Sequence, residues 1–233
     1  VLLSFFKPAV DVGLYAAPYR LLDVLTQFPH MVMGLMLPVL VAAWATGDRA
    51  AFARRMQHTF DGLALFAFPI VLGAIVLGTP VMRLVAGAPF AASGPILAVL
   101  AFAILGIFLG APFGYAVVAI GQQRRMLWGY AAVATVTLVG YLILIPMYSY
   151  WGAAGMTVVS ETMIAALTFA VVRRASGFRI NLRVAGAALL AALGMAAVVV
   201  VVHIPTFPRA AVGAIVYGLL VMVLPPTRRI MRA

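Results

Sequence analysis

Seven apolar stretches follow one another along this chain, joined only by short connections that carry most of its arginines. They cover about 14–44, 60–77, 95–120, 126–146, 151–172, 184–202 and 210–224. A helix that crosses a bilayer needs about 20 predominantly apolar residues, and these stretches meet or approach that length. The composition leaves no soluble alternative. Of 233 residues, 66% are hydrophobic and 9% charged, whereas a soluble domain carries roughly 45–50% apolar and about 25% charged residues. A soluble fold of this size cannot hide so much apolar surface. The expected fold is therefore all-α, a polytopic membrane helix bundle of about seven transmembrane helices.

The first stretch is longer than a bilayer is thick, so its start is expected to project or tilt. Val1–Phe6 reads as the end of an earlier helix, and the chain as a fragment of a longer protein. With no Cys, the sequence excludes disulfides and thiolate metal sites.

The connections alternate in charge. Arg49, Arg54 and Arg55 follow the first stretch, and Arg124 and Arg125 the third. Arg173, Arg174, Arg179 and Arg183 follow the fifth, and Arg228, Arg229 and Arg232 the seventh. The opposite side holds only Lys7, Arg83 and Arg209. Such an imbalance marks the arginine-rich side as cytoplasmic, which places Val1–Gly13 outside and the C-terminus inside. The net charge of +11 thus reflects membrane topology, and no nucleic-acid partner is expected. Tyr148, Tyr150 and Trp151 fall at an outer boundary and fit an interfacial aromatic belt. Thr79–Gly94 is too short to span and is expected to lie along the outer surface as a short helix and turn.

Within LYAAPYRLLDVLTQFPH, four polar side chains interrupt the first stretch: Arg20, Asp23, Gln27 and His30. On a helix they fall within an arc of roughly 80°, and Gly34 continues the stripe. A polar stripe at membrane depth faces protein or water rather than lipid. One reading is structural: Arg20 and Asp23 pair near the interface, while Gln27 and His30 bond neighbouring helices. The other is a water-filled cavity in which Arg20 binds an anion, most naturally a phosphate. Tyr19, adjacent to Arg20, joins the candidate lining.

Glu161 is the other intramembrane acid, midway along the fifth stretch. It is either a structural hydrogen-bond donor or a coupling site for a proton or cation. Asp61 is expected at the start of the second helix, as a charge on its dipole. His58 reads as solvated and His203 as interfacial. No Gly-rich phosphate loop, HExxH or GxSxG occurs. Neither an enzyme constellation, nor a metal site, nor a cofactor is expected.

The run VGLYAAPYRLLDVLTQFPHMVMGLMLPVL resembles the start of the C-terminal lobe of bacterial polysaccharide flippases, within the multidrug/oligosaccharidyl-lipid/polysaccharide exporter superfamily. LVAGAPFAASGPILAVLA, AIGQQRR and LILIPMYSYWGAAGMTVVSE resemble further family segments, in family order. The resemblance implies a two-lobed transporter of the bacterial inner membrane that works by alternating access. Residues 1–233 would form its C-terminal lobe, without the N-terminal one. The implied substrate is a polyprenyl-pyrophosphate-linked oligosaccharide: an O-antigen, capsule or exopolysaccharide unit. Arg20-Leu21-Leu22-Asp23 is similar to an Arg-Leu-x-acid run that lines the cavity of related lipid II flippases. There the Arg is held to meet the pyrophosphate, so this lobe would supply one wall of a cationic cavity. Phe28-Pro29 also resembles the family, but stands about one helical turn farther along than in the lipid II branch. The implied partners are the lipid-linked oligosaccharide, membrane lipids, a coupling cation (proton or sodium) and polysaccharide-assembly proteins. Asp23 and Glu161 are the coupling candidates.

Three rivals stand beside this expectation. A cation-coupled multidrug exporter of the same superfamily would prefer acids and aromatics in its cavity. A membrane glycosyltransferase or ligase using the same lipid carrier would need a sizeable outer loop with catalytic acids or histidines, and the outer loops here are short. A seven-helix receptor shares only the helix count.

Overall fold

The computed structural model of the protein describes residues 2–202 and 204–225. Val1, His203 and the cluster Arg228, Arg229 and Arg232 lie outside the described residues. Among the described residues every regular element is helical. The order is α1 (Leu2–Phe6), α2 (Ala9–Ala45), α3 (Arg49–Val85), a 3-10 turn (Ala88–Ser93), α4 (Gly94–Ala119), α5 (Gln123–Tyr148), α6 (Tyr150–Ser176), α7 (Arg183–Val201) and α8 (Thr206–Val223). Seven of these, α2 to α8, are long and apolar enough to cross a membrane.

Helix α4 is the centre. It carries no charged residue, so nothing in its sequence opposes burial on every side. It packs against α2, α3 and α6. Leu100, Ala101, Ala103, Ile104 and Ala116 are fully buried along it. Phe113 sits at the crossing of three elements, with its ring centroid 5.9 Å from Phe60, 5.1 Å from Phe169 and 6.3 Å from Phe178. Gly110 permits the close approach of α4 to α6, because a Cβ there would lie 2.7 Å from Ala165 Cβ. Helix α5 hangs on α6, and the α7–α8 pair hangs on α3. Both peripheral groups turn apolar side chains outward. Leu138, Val139, Leu142 and Ile143 of α5 are exposed, as are Ile215 and Leu219 of α8. Such surfaces are stable only against lipid or further protein.

The helices run longer than hydropathy alone draws them. α3 starts at Arg49, well before position 60, because its basic first turns bury Phe52 and Met56 against the bundle. Its N-cap is Asp48, whose Oδ1 accepts from the Ala51 N–H at 2.8 Å. This corrects the expectation for Asp61, which does not stand at the helix start. Asp61 is buried in the body of α3 and accepts from Gln57 Nε2 at 2.8 Å. Gln57 also donates to the Asn181 carbonyl at 2.8 Å and accepts from the Asn181 N–H at 2.9 Å. One side-chain amide thus fastens the α6–α7 connection to α3.

Thr79–Gly94 is corrected as well. Its first half continues α3 to Val85, held there by the fully buried Met82. Only Ala88–Ser93 forms a separate short turn.

Candidate functional site

Arg20, Asp23, Gln27 and His30 all lie on α2 and are all exposed. The adjoining face of α2 buries Leu22, Thr26, Pro29, Met33 and Leu40. Apolar burial therefore sets the rotation of the helix and turns the polar stripe toward the open side of the bundle.

Two cavities meet along that side. The first is a groove of about 450 Å³ between α2, α4 and α6, with Tyr130 contributed by α5. Tyr19, Asp23 and His30 line it from α2, Tyr115 from α4 and Glu161 from α6. The second is a hollow of about 460 Å³ bounded by α1, α2, α5 and α6. Arg20 lines this hollow together with Tyr15, Tyr19, Asp23 and Tyr141. Tyr19 and Asp23 belong to both, so the two cavities share an edge.

The structure thus brings Tyr19, Asp23, His30 and Glu161 around one space and puts Arg20 next door. Gln27 lines neither cavity. The groove lining holds two carboxylates and an imidazole but no Lys or Arg. This wall is therefore acidic and aromatic, with a single cationic side chain at its border, rather than uniformly cationic.

The wall is held in shape by a hydroxyl cluster. Thr157, buried on α6, lies 3.0 Å from Tyr15 Oη and 3.2 Å from Tyr141 Oη, and donates to the Ala153 carbonyl at 3.0 Å. One hydroxyl thus ties α2, α5 and α6 together below the shared edge. On the other flank, Tyr115 Oη donates to the His30 carbonyl at 3.5 Å, and the two rings stand 6.2 Å apart. At the start of α2, Ser149 Oγ donates to Asp11, and Lys7 Nζ donates to the Pro146 carbonyl at 2.9 Å. These contacts lock the α5–α6 turn against the beginning of α2.

The charged side chains of the site are unspent. Among the described residues, Arg20, the Asp23 carboxylate and Glu161 make neither a hydrogen bond nor an ion pair. An i,i+3 pair between Arg20 and Asp23 is not formed. Holding ionisable groups unpaired at membrane depth is costly, which makes them candidates for contact with water or a ligand.

Sequence reasoning did not single out Tyr115, Tyr130 or the glycines Gly106, Gly110 and Gly114, which also line the groove. The glycine spacing along one face of α4 was the available signal, since it permits a close helix approach.

No family model matches the chain, and no curated protein matches it. Among solved structures it is similar to "Lipid II flippase MurJ, inward closed conformation", with a TM-score of 0.73 at 16% identity. The match covers 95% of this chain. The chain has the fold of one half of that flippase. It spans 48% of MurJ's length, and at this identity the likeness concerns the arrangement of helices.

Proposed function

We propose that the chain is the C-terminal lobe of a flippase for a polyprenyl-pyrophosphate-linked oligosaccharide in the bacterial inner membrane. The substrate is an O-antigen, capsule or exopolysaccharide unit delivered by the polysaccharide-assembly machinery. No bond is made or broken. The head group crosses through a polar space between two lobes by alternating access, while the polyprenyl tail stays in lipid. Arginine-rich connections face the cytoplasm, and so does the C-terminus. The observation that carries the reading is Arg20: an unpaired guanidinium lining an open hollow, in a fold similar to that of a lipid II flippase. A guanidinium fork matches the oxygens of a pyrophosphate and, unlike an ammonium, engages two of them in parallel.

Asp23 and Glu161 are the groups proposed to couple transport to a proton or sodium gradient. Both carboxylates line the same groove.

The test is complementation of a flippase-deficient strain with the full-length protein. Arg20→Ala lowers surface polysaccharide at equal expression, and Arg20→Lys restores only part of it. Wild-type output from Arg20→Ala removes Arg20 from the mechanism. For coupling, Glu161→Gln is compared with wild type under imposed pH and sodium gradients, where unchanged dependence on both dismisses its role.

A second reading, the multidrug exporter, draws support from the same groove, whose acids and tyrosines suit a lipophilic cation. Resistance to cationic dyes in a drug-sensitive host, with no restoration of polysaccharide, favours that reading.

A further inference from the structure

Resting on the flippase reading, we infer that the groove between α2, α4 and α6 is a saccharide subsite, separate from the pyrophosphate contact at Arg20. Its volume of about 450 Å³ lies within the range of roughly 300–1,000 Å³ typical of small-molecule sites. It is far more than a bare cation requires. Its polar groups are the complement of a sugar. Two unpartnered carboxylates, Asp23 and Glu161, present only acceptors, and sugar hydroxyls are donors. Tyr19 and Tyr130, both exposed at the groove, offer an apolar ring face and a hydroxyl on one side chain. A pyranose has the same dual character, with an apolar face and a rim of hydroxyls.

The position of Arg20 selects among occupants. Tyr19 and Asp23 border both cavities, so a ligand that fills the groove as far as Asp23 reaches the edge of the hollow that Arg20 lines. A lipophilic cation suits the two carboxylates but leaves the guanidinium next door without a counter-charge. A phosphate in the groove is repelled by the two carboxylates. A neutral sugar joined to a pyrophosphate satisfies both ends at once: hydroxyls on the carboxylates, phosphate oxygens on Arg20.

Gly114 provides a steric test that leaves the fold intact. It lines the groove, and a Cβ built there meets nothing within 4 Å. A side chain at this position enters open space rather than the packed α4–α6 contact.

The experiment measures binding of three probes to the purified full-length protein. They are undecaprenyl pyrophosphate without sugar, and the same lipid bearing one galactose or one N-acetylglucosamine. Wild type binds at least one glycosylated lipid about tenfold more tightly than the bare one, a preference of about 1.4 kcal/mol. Gly114→Leu and Tyr130→Ala bring that ratio close to one while keeping the affinity for the bare lipid. Arg20→Ala weakens all three probes and keeps the ratio. A wild-type ratio near one overturns the subsite and leaves the flippase reading standing. A ratio untouched by Gly114→Leu and Tyr130→Ala likewise overturns it, placing the sugar elsewhere. Failure of wild type to bind any of the three lipids overturns the flippase reading itself. Ethidium binding that Gly114→Leu abolishes, without any preference for glycosylated lipid, overturns the subsite in favour of the exporter.

Discussion

The Tyr217 hydroxyl donates to the carbonyl oxygen of Leu65 at 2.6 Å, and Leu65 stands one turn before Pro69 on α3. Proline has no N–H, so it cannot close the bond to the residue four positions back. Inside a membrane no water replaces that bond. The phenol of α8 supplies the missing donor, which explains how Pro69 is tolerated within a continuous helix. Tyr217→Phe is expected to destabilise the protein by about 1–2 kcal/mol, since it strands a carbonyl at membrane depth. Pro69→Ala in the same background returns much of that loss by restoring a helical N–H. Thermal unfolding of the single and double variants in detergent measures both effects; additive losses contradict the assignment.

The glycines of α4 divide by what surrounds them. Gly110→Val forces a side chain onto Ala165, where even a Cβ would lie 2.7 Å from Ala165 Cβ. Overpacking of this kind costs about 1–3 kcal/mol. Gly114→Ala meets nothing within 4 Å, so its stability stays at or slightly above wild type. A comparison of melting temperatures tests the contrast.

Thr157 is the shared partner of Tyr15 and Tyr141. Thr157→Val keeps the shape but removes the hydroxyl, leaving both phenols without it, and is expected to cost about 1–2 kcal/mol. Thr157→Ser, which keeps the hydroxyl, holds near wild type. Equal losses from the two variants indicate packing rather than hydrogen bonding.

Gln57 fastens the α6–α7 connection through two bonds to the Asn181 backbone. Gln57→Ala is expected to raise hydrogen exchange across residues 177–182 by about tenfold or more, the equivalent of about 1.4 kcal/mol. Exchange in α4 should stay unchanged. Uniform acceleration through the whole bundle instead means that the variant lost global stability.

At the opposite end of α8, Arg209 covers the last carbonyls of α7. Its Nε donates to Val199 at 2.6 Å and a terminal nitrogen to Val200 at 3.3 Å. Arg209→Ala exposes these helix-terminal carbonyls and is expected to loosen the α7–α8 pair by about 1 kcal/mol. Protease sensitivity of the connection around residues 202–205 provides the readout.

The helical class, the number of spanning helices and the membrane as solvent could be read from the residues alone. Hydropathy is a local property, and lipid rewards it segment by segment, so each apolar run declares itself without reference to the others. The polar stripe on α2 was legible for a related reason: its members share one helix, and helical geometry places them. Which faces met was a different matter. Helix α4 is apolar all round; its glycine spacing marks one face for close approach, but nothing along it says which helix meets that face. Burial of Phe52 and Met56 carried α3 far beyond its apolar run, and only that extension shows Asp61 as an internal partner of Gln57. Glu161 and Asp23 lie 138 residues apart in the chain, and only the close packing of α4 against α6 through Gly110 brings them to one groove. Local chemistry named the candidates; interhelical packing, which no single segment encodes, chose Asp23 as the border between an acidic groove and the arginine beside it.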